Sequence, residues 1–436
     1  MTIDPSNWTK EHEIIADLSA RLVECQRPIR ILDTIKWDDS IKQDFFASGC
    51  QKLPEVTPEY YSNRVLSYDL DAKIKELDVL SFAIQNHLGK LSPLSQLLQR
   101  MCHEYIDVIH LLQARGTKRF GDLSRDLFGS ASEAFYIGGP SLCVLAEELD
   151  KTLPNLLLKA TSAVDEKKYT ALEAAQLLRE QLAEYFNDPT EQVSVEISNT
   201  MIADAAAGAE VVMIKGNTLF SERDIRNLLV HEGWVHLGTT LNGRRQPVCT
   251  FLSKGTPSST ITQEGLALIT EVFTFSAYPA RIKRMCNRID AVDMVEQGAD
   301  FIQVFQHLLD KGLTQEESYQ QTVRVFRGAL PDGSCGAFTK DVSYTKGFVI
   351  IYNYIILAIK YGQLEQIPLL FTGKTTLQDI PLIQDLIDHG FVEPPKYMPP
   401  QFRDLAALSS WMSFSTFMHS LDIDKMEMDY KAILRI

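Results

Sequence analysis

The segment HEGWVH, residues 231–236, sets its two histidines five positions apart. Side chains four apart lie about 40° from each other around an α-helix, whereas side chains five apart lie about 140° apart. His231 and His236 can therefore face one point only if the helix gains a residue in a π-type turn or unwinds before the second ring. Gly233 stands between them and makes such a distortion cheap, and π-bulges recur at functional sites. A bulge or break between His231 and His236 is expected. The alternative is a regular core helix in which two histidines fall near a glutamate by chance and their rings point apart.

Glu264 follows His231 by 33 positions, inside TQEGLALITE. Catalytic zinc takes three protein ligands from His nitrogen and carboxylate oxygen, and leaves one position open. His231, His236 and Glu264 supply such a set. Glu232 cannot easily reach an ion bound by its neighbour. It can reach a water held there, and a carboxylate in that place acts as general base.

The pattern around this motif is mixed. Apolar residues recur at three- and four-residue spacing over 77–88, 94–114 and 171–186, so the part up to residue 186 reads as helical. Val193, Val195 and Ile197 alternate with polar residues, which reads as a strand, and 209–214 is a second strand candidate. Ser221 with Asp224, and Thr314 with Glu317, have the spacing of helix-capping pairs. A short strand is expected over 248–252. The apolar run 348–359 reads as a buried helix, too short to span a bilayer. The expected fold is α+β and predominantly helical, with a helical part over 1–186 and a catalytic core over 187–436.

Composition excludes some functions. With a net charge of −14, the chain has no basic surplus with which to grip nucleic acid or an anionic membrane. Seven widely spaced cysteines form no C-x-x-C pair, and the N-terminus has no basic start followed by an apolar run. A reducing, cytoplasmic setting is expected. Nothing in the residues addresses oligomeric state.

HEGWVH together with TQEGLA resembles the QEGLA-motif family, which includes bacterial proteins of undefined role and the eukaryotic microtubule-associated tyrosine carboxypeptidases. The segments RGTKRFGDLSRDLFG, NTLFSERDIRNLLVHEGWVH, RVFRG and FTKDVSYTKG are similar to family blocks and run from about residue 115 to 347. The resemblance implies a zinc peptidase, with His231, His236 and Glu264 as ligands and Glu232 as catalytic base. It implies a gluzincin-like core in which a small sheet lies over the zinc helix and an edge strand pairs with an extended substrate. The strand at 209–214, or its neighbour, would be that edge. A carboxypeptidase acting on a protein or peptide C-terminus is the version the family suggests. The tubulin substrate does not carry over, because the chain lacks a basic extension for the acidic microtubule surface and looks like the bacterial branch. The rival functions are hydrolysis of another amide and metal binding without turnover.

Other residues are candidates for the rest of the site. Arg324 and Arg327, then Lys340, could bind a terminal carboxylate, for which the guanidinium fork is suited. Their alternative is to tie the loop 329–340 to its helix. Tyr344 could stabilise an oxyanion, or simply pack its ring. Glu271 lies on the same helical side as Glu264 and could orient a ligand histidine, or face solvent. His103, Glu104 and His110 read as ordinary helix residues. Gly255 and Pro257 could shape a loop beside the site, or be plain turn residues.

Overall fold

The computed structural model describes residues 6, 8–64, 66–159, 165–199, 201 and 203–435. Helices dominate, and the strands among the described residues form two small sheets. The fold is the predominantly helical α+β class expected from the sequence.

The apolar spacing over 77–88 and 94–114 becomes the helices Leu70–Leu88 and Pro93–Gln113. They pack with Lys10–Gln26 around Leu22, Leu77, Ile84, Leu98 and Ile109. The same core takes Val248, Phe251 and Leu252 from beyond the HEGWVH segment, and Ile383 and Leu386 from near the C-terminus. Segments on both sides of residue 186 thus share one apolar interior. All seven cysteines carry free thiols.

The short strand expected over 248–252 does not form. Thr250–Ser253 is instead a turn of 3-10 helix. Val248, Phe251 and Leu252 all point into that shared core, so the period-2 alternation of a half-buried strand is not used. The backbone is satisfied by other partners: the Phe251 N–H donates to Ser19 Oγ at 2.8 Å, and the Leu252 carbonyl accepts from Lys374 N–H at 2.7 Å.

Five strands are present: β1 (Tyr169–Thr170), β2 (Ser194–Ser198), β3 (Ala205–Ala207), β4 (Val211–Lys215) and β5 (Leu219–Phe220). β1 and β5 pair antiparallel. The other three form a sheet in the order β2-β4-β3, with β2 parallel and β3 antiparallel to β4. The candidate strand at 209–214 is therefore the central strand, and its neighbour β3 is the edge. Lys215 N–H donates to the Asp204 carbonyl and Gly208 N–H to the Val211 carbonyl. Antiparallel alternation then turns the backbone groups of Ala205 and Ala207 away from β4.

The glutamate-bearing helix is Pro257–Phe273, longer than the sequence pattern suggested. Thr256 caps it and Pro257 is its first residue, so Pro257 starts a helix rather than shaping a loop. Glu104 also holds this end, accepting from Ser258 N–H at 3.0 Å and Ser258 Oγ–H at 2.8 Å. The helix packs along Ser343–Lys360. That second helix contains the apolar run 348–359. By length and composition it could cross a bilayer, and here one face is buried through Gly347, Ile351, Ile355 and Ala358.

The two helices meet where Gly265 faces Gly347. A Cβ on Gly265 would lie 2.3 Å from the Gly347 carbonyl, and one on Gly347 would lie 2.0 Å from the Ile261 carbonyl. Backbone opposes backbone here, so no side-chain rotation can relieve the clash. Gly265→Ala should cost about 3 kcal/mol, read as a lower urea midpoint with an unchanged slope. It should also shift Glu264, which immediately precedes the crossing.

Candidate active site

The helical run that carries the histidines begins with the expected cap. Ser221 Oγ accepts from Asp224 N–H at 3.0 Å, and Asp224 Oδ2 accepts from Ser221 N–H at 2.8 Å. An α-helical stretch, Glu222–Leu228, passes into a π-helix over Leu229–Leu237 and returns to α over Gly238–Arg244. The extra residue per turn is thus spread over nine residues without a break. Gly233 serves close packing: a Cβ there would meet Leu182 Cδ2 at 2.5 Å, and its φ is not left-handed.

The π-turn brings the His231 and His236 rings to a centroid distance of 4.7 Å, with their Nε2 atoms 3.1 Å apart. Glu264 Oε2 lies 3.4 Å from His231 Nε2 and 3.3 Å from His236 Nε2. A tetrahedral ion with bonds of about 2.0–2.1 Å holds its ligands about 3.3 Å apart. The three donor atoms have that spacing, and Glu264 Oε2 is buried without a hydrogen-bond partner. This is the group of His, Cys, Asp or Glu side chains among the described residues that fits a metal ion.

The surroundings orient these donors. His231 Nδ1–H donates to Glu271 Oε1 at 2.6 Å, which leaves Nε2 with its lone pair toward the cluster. Glu271 is fully buried, not solvent-facing, and takes Arg281 Nη2 at 2.9 Å and Nε at 3.2 Å. Burial opposes ionisation of Glu271, but the Arg281 charge and the His231 contact hold its carboxyl well below the usual range. Glu264 behaves alike: burial opposes its charge, and Lys340 with the two imidazoles overcomes it. On the far side, half-buried Lys374 donates from Nζ to the His236 carbonyl at 2.8 Å, Gln263 Oε1 at 2.9 Å and Thr239 Oγ1 at 3.0 Å. It ties the exit of the π-helix to the helix of Glu264.

A cleft opens over the cluster, walled by His231, Glu232, Tyr278, Arg281, Arg288 and Tyr344. Glu232 Oε2 accepts from the Ala207 N–H of edge strand β3 at 2.9 Å. Tyr344 lies with its ring 6.2 Å from that of His231. Lys340 Nζ sits 3.3 Å from Glu264 Oε1 and 5.7 Å from the Tyr344 ring. Arg324 also reaches the wall, but its Nε and Nη2 grip Asp341 at 2.6 and 2.7 Å. Arg327 lies against the Phe338 ring, outside the cleft lining.

A family model described as microtubule-associated tyrosine carboxypeptidase matches residues 43–420. The chain belongs to that family. No curated protein sequence matches it. Among solved structures, it is similar to Trypanosoma cruzi metallocarboxypeptidase 1 at 12% identity and a TM-score of 0.39, covering 98% of this chain and 100% of that one.

In this member of the tyrosine carboxypeptidase family, several site residues escape sequence reasoning. Arg281 and Arg288 stand on the helix Pro279–Glu296, whose amphipathic pattern gives no sign of a cleft. Lys374 comes from an irregular stretch 110 positions beyond Glu264, and Asp341 looks like an ordinary loop acid. The one available signal was the number of arginines in RIKRMCNRID, a charge density unusual for a helix that is half buried.

Glu271→Gln keeps the shape and one acceptor oxygen but loses the charge opposite His231. Metal affinity should fall about 10- to 100-fold, measured by competition with a chromophoric chelator. Unchanged affinity would mean that Glu271 only neutralises Arg281.

Proposed function

We propose that the protein is a zinc-dependent peptidase that removes a C-terminal residue from a protein or peptide. The observation that carries this reading is the placement of Glu232. It is buried beside three convergent metal-type donors, on the same π-turn, and faces a cleft bordered by an edge strand. The family's own description names a carboxypeptidase, which supports the same class. Seven free thiols favour a reducing, cytoplasmic setting.

His231, His236 and Glu264 would hold the ion. Zinc, when bound, supplies a Lewis acid that polarises a carbonyl and makes water more acidic. The remaining work falls to the chain's own groups. The outward N–H and carbonyl of Ala205 and the carbonyl of Ala207 pair with an extended substrate, as in strand addition. Glu232 takes a proton from the water whose oxygen adds to the scissile carbonyl, and then delivers that proton to the amine as the tetrahedral adduct collapses and its C–N bond breaks. Ala207 N–H keeps the Glu232 carboxylate in place for both transfers. The Tyr344 hydroxyl donates to the developing oxyanion.

Glu232→Gln should keep the metal and lose about 10²- to 10⁴-fold in turnover. The check is mass spectrometry of a peptide library incubated with zinc-loaded protein, alongside metal analysis. A variant that cleaves as well as wild type would remove Glu232 from the mechanism. Tyr344→Phe should lower kcat by about 10²-fold with metal content unchanged; equal kcat would leave its ring as packing only.

A further inference from the structure

The arginines of the cleft wall are not equally well paired. Arg281 has Glu271 at 2.9 Å, Arg284 has Asp204 at 2.8 Å and Arg324 has Asp341 at 2.6 Å. Arg288 has no such partner among the described residues. Its ion-pair contact is with Asp341 Oδ2 at 3.8 Å, an oxygen already held by Arg324. Its Nε and Nη1 are buried and make no hydrogen bond. Arg327 feels the charge of the same acid without pairing with it, and its Nε is also buried without a hydrogen-bond partner. Two guanidinium groups, those of Arg288 and Arg324, therefore share one carboxylate, and both reach the cleft, whereas Arg327 does not.

Buried cations left unpaired are costly. Burial and the neighbouring Arg324 pull the Arg288 pKa down from 12.5 to about 10, so the group stays charged near neutrality at a cost to the fold. Such an arrangement is relieved by an anion that arrives with a ligand. Position narrows the identity of that anion. The Arg288 guanidinium lies 5.2 Å from the centre of the Tyr344 ring, and that ring is 6.2 Å from the ring of His231. The Arg288 guanidinium and the His231 ring are thus no farther apart than these two distances together, a span that one terminal residue of about 3.5 Å of backbone covers when its carbonyl contacts the metal cluster and its carboxylate contacts the guanidinium.

We propose that Arg288 is the residue that binds the free C-terminal carboxylate of the substrate, with the Arg324–Asp341 pair as its fixed backing. The cleft then selects chain ends over internal peptide bonds. This rests on the peptidase reading for the position of the scissile carbonyl. Arg324, the candidate from sequence, spends its fork on Asp341, while Nε and Nη1 of Arg288 have no hydrogen bond to give up to a carboxylate.

The test uses zinc-loaded Glu232→Gln protein and a fluorescein-labelled hexapeptide ending in tyrosine, as the free acid and as the C-terminal amide. Anisotropy should show the acid binding about 30-fold tighter or more. Adding Arg288→Gln should reduce that ratio to about threefold or less, and Arg288→Lys should keep part of it because charge remains without the fork. Arg288→Gln alone should melt at or above wild type, since it removes a poorly paired buried cation. A structural salt-bridge arginine would lower the melting temperature. The proposal is overturned if neither peptide binds, or if the acid-to-amide ratio survives Arg288→Gln. Cleavage by the Glu232 protein, measured in parallel, separates the two ideas: cleavage with an unchanged ratio sinks the anchor alone, and an Arg288-dependent ratio without cleavage sinks the peptidase reading alone.

Discussion

The site depends on one lateral contact, in which the π-helix Leu229–Leu237 lies along the helix Pro257–Phe273 and His231 donates to Glu271 at 2.6 Å. This bond joins two segments 40 positions apart and aims the opposite ring nitrogen at Glu264. Every other part of the cluster is arranged around that direction. Arg281 offsets the buried charge of Glu271, Lys340 offsets that of Glu264, and Lys374 fastens the backbone of His236 to Gln263. Carboxylates this deep stay ionised only because each faces a cation.

The same arrangement explains why the interior around the site is so tightly constrained. Gly265 and Gly347 allow two helices to touch backbone to backbone, and Gly233 admits Leu182 against the π-turn. These contacts leave little room for the donor helices to slide. A metal site with its donors 3.1 to 3.4 Å apart needs that rigidity, because a shift of an ångström would spoil the set. The cleft wall is less balanced. Its poorly paired Arg288 guanidinium resembles the stability that proteins give up at binding sites.

The sheet contributes little to stability by size and much by position. β3 has three residues, yet it supplies the N–H that holds Glu232 and leaves an open edge facing the cleft. Its run of small residues, Ala205 to Ala207, gave no alternation to read, and its strand character comes from pairing with β4. The expected strand near Phe251 failed for the complementary reason. Its apolar residues found a core in the N-terminal helices, and Ser19 took the backbone N–H that a ladder would have used.

The sequence by itself determined the chemistry on offer and one unusual local geometry. Histidines five apart with a glutamate downstream demand a distorted helix, because ring direction follows from residue count along a helix. The capping pairs Ser221–Asp224 and Thr314–Glu317 were legible for the same reason, since each acts within a single turn. Only the tertiary structure decided which charges meet. Glu271 could have faced solvent, Arg324 could have stood free of Asp341, and Arg288 carried no mark at all. Pairings between distant segments depend on how helices cross, and a spacing pattern along one helix does not encode what the next helix will place against it.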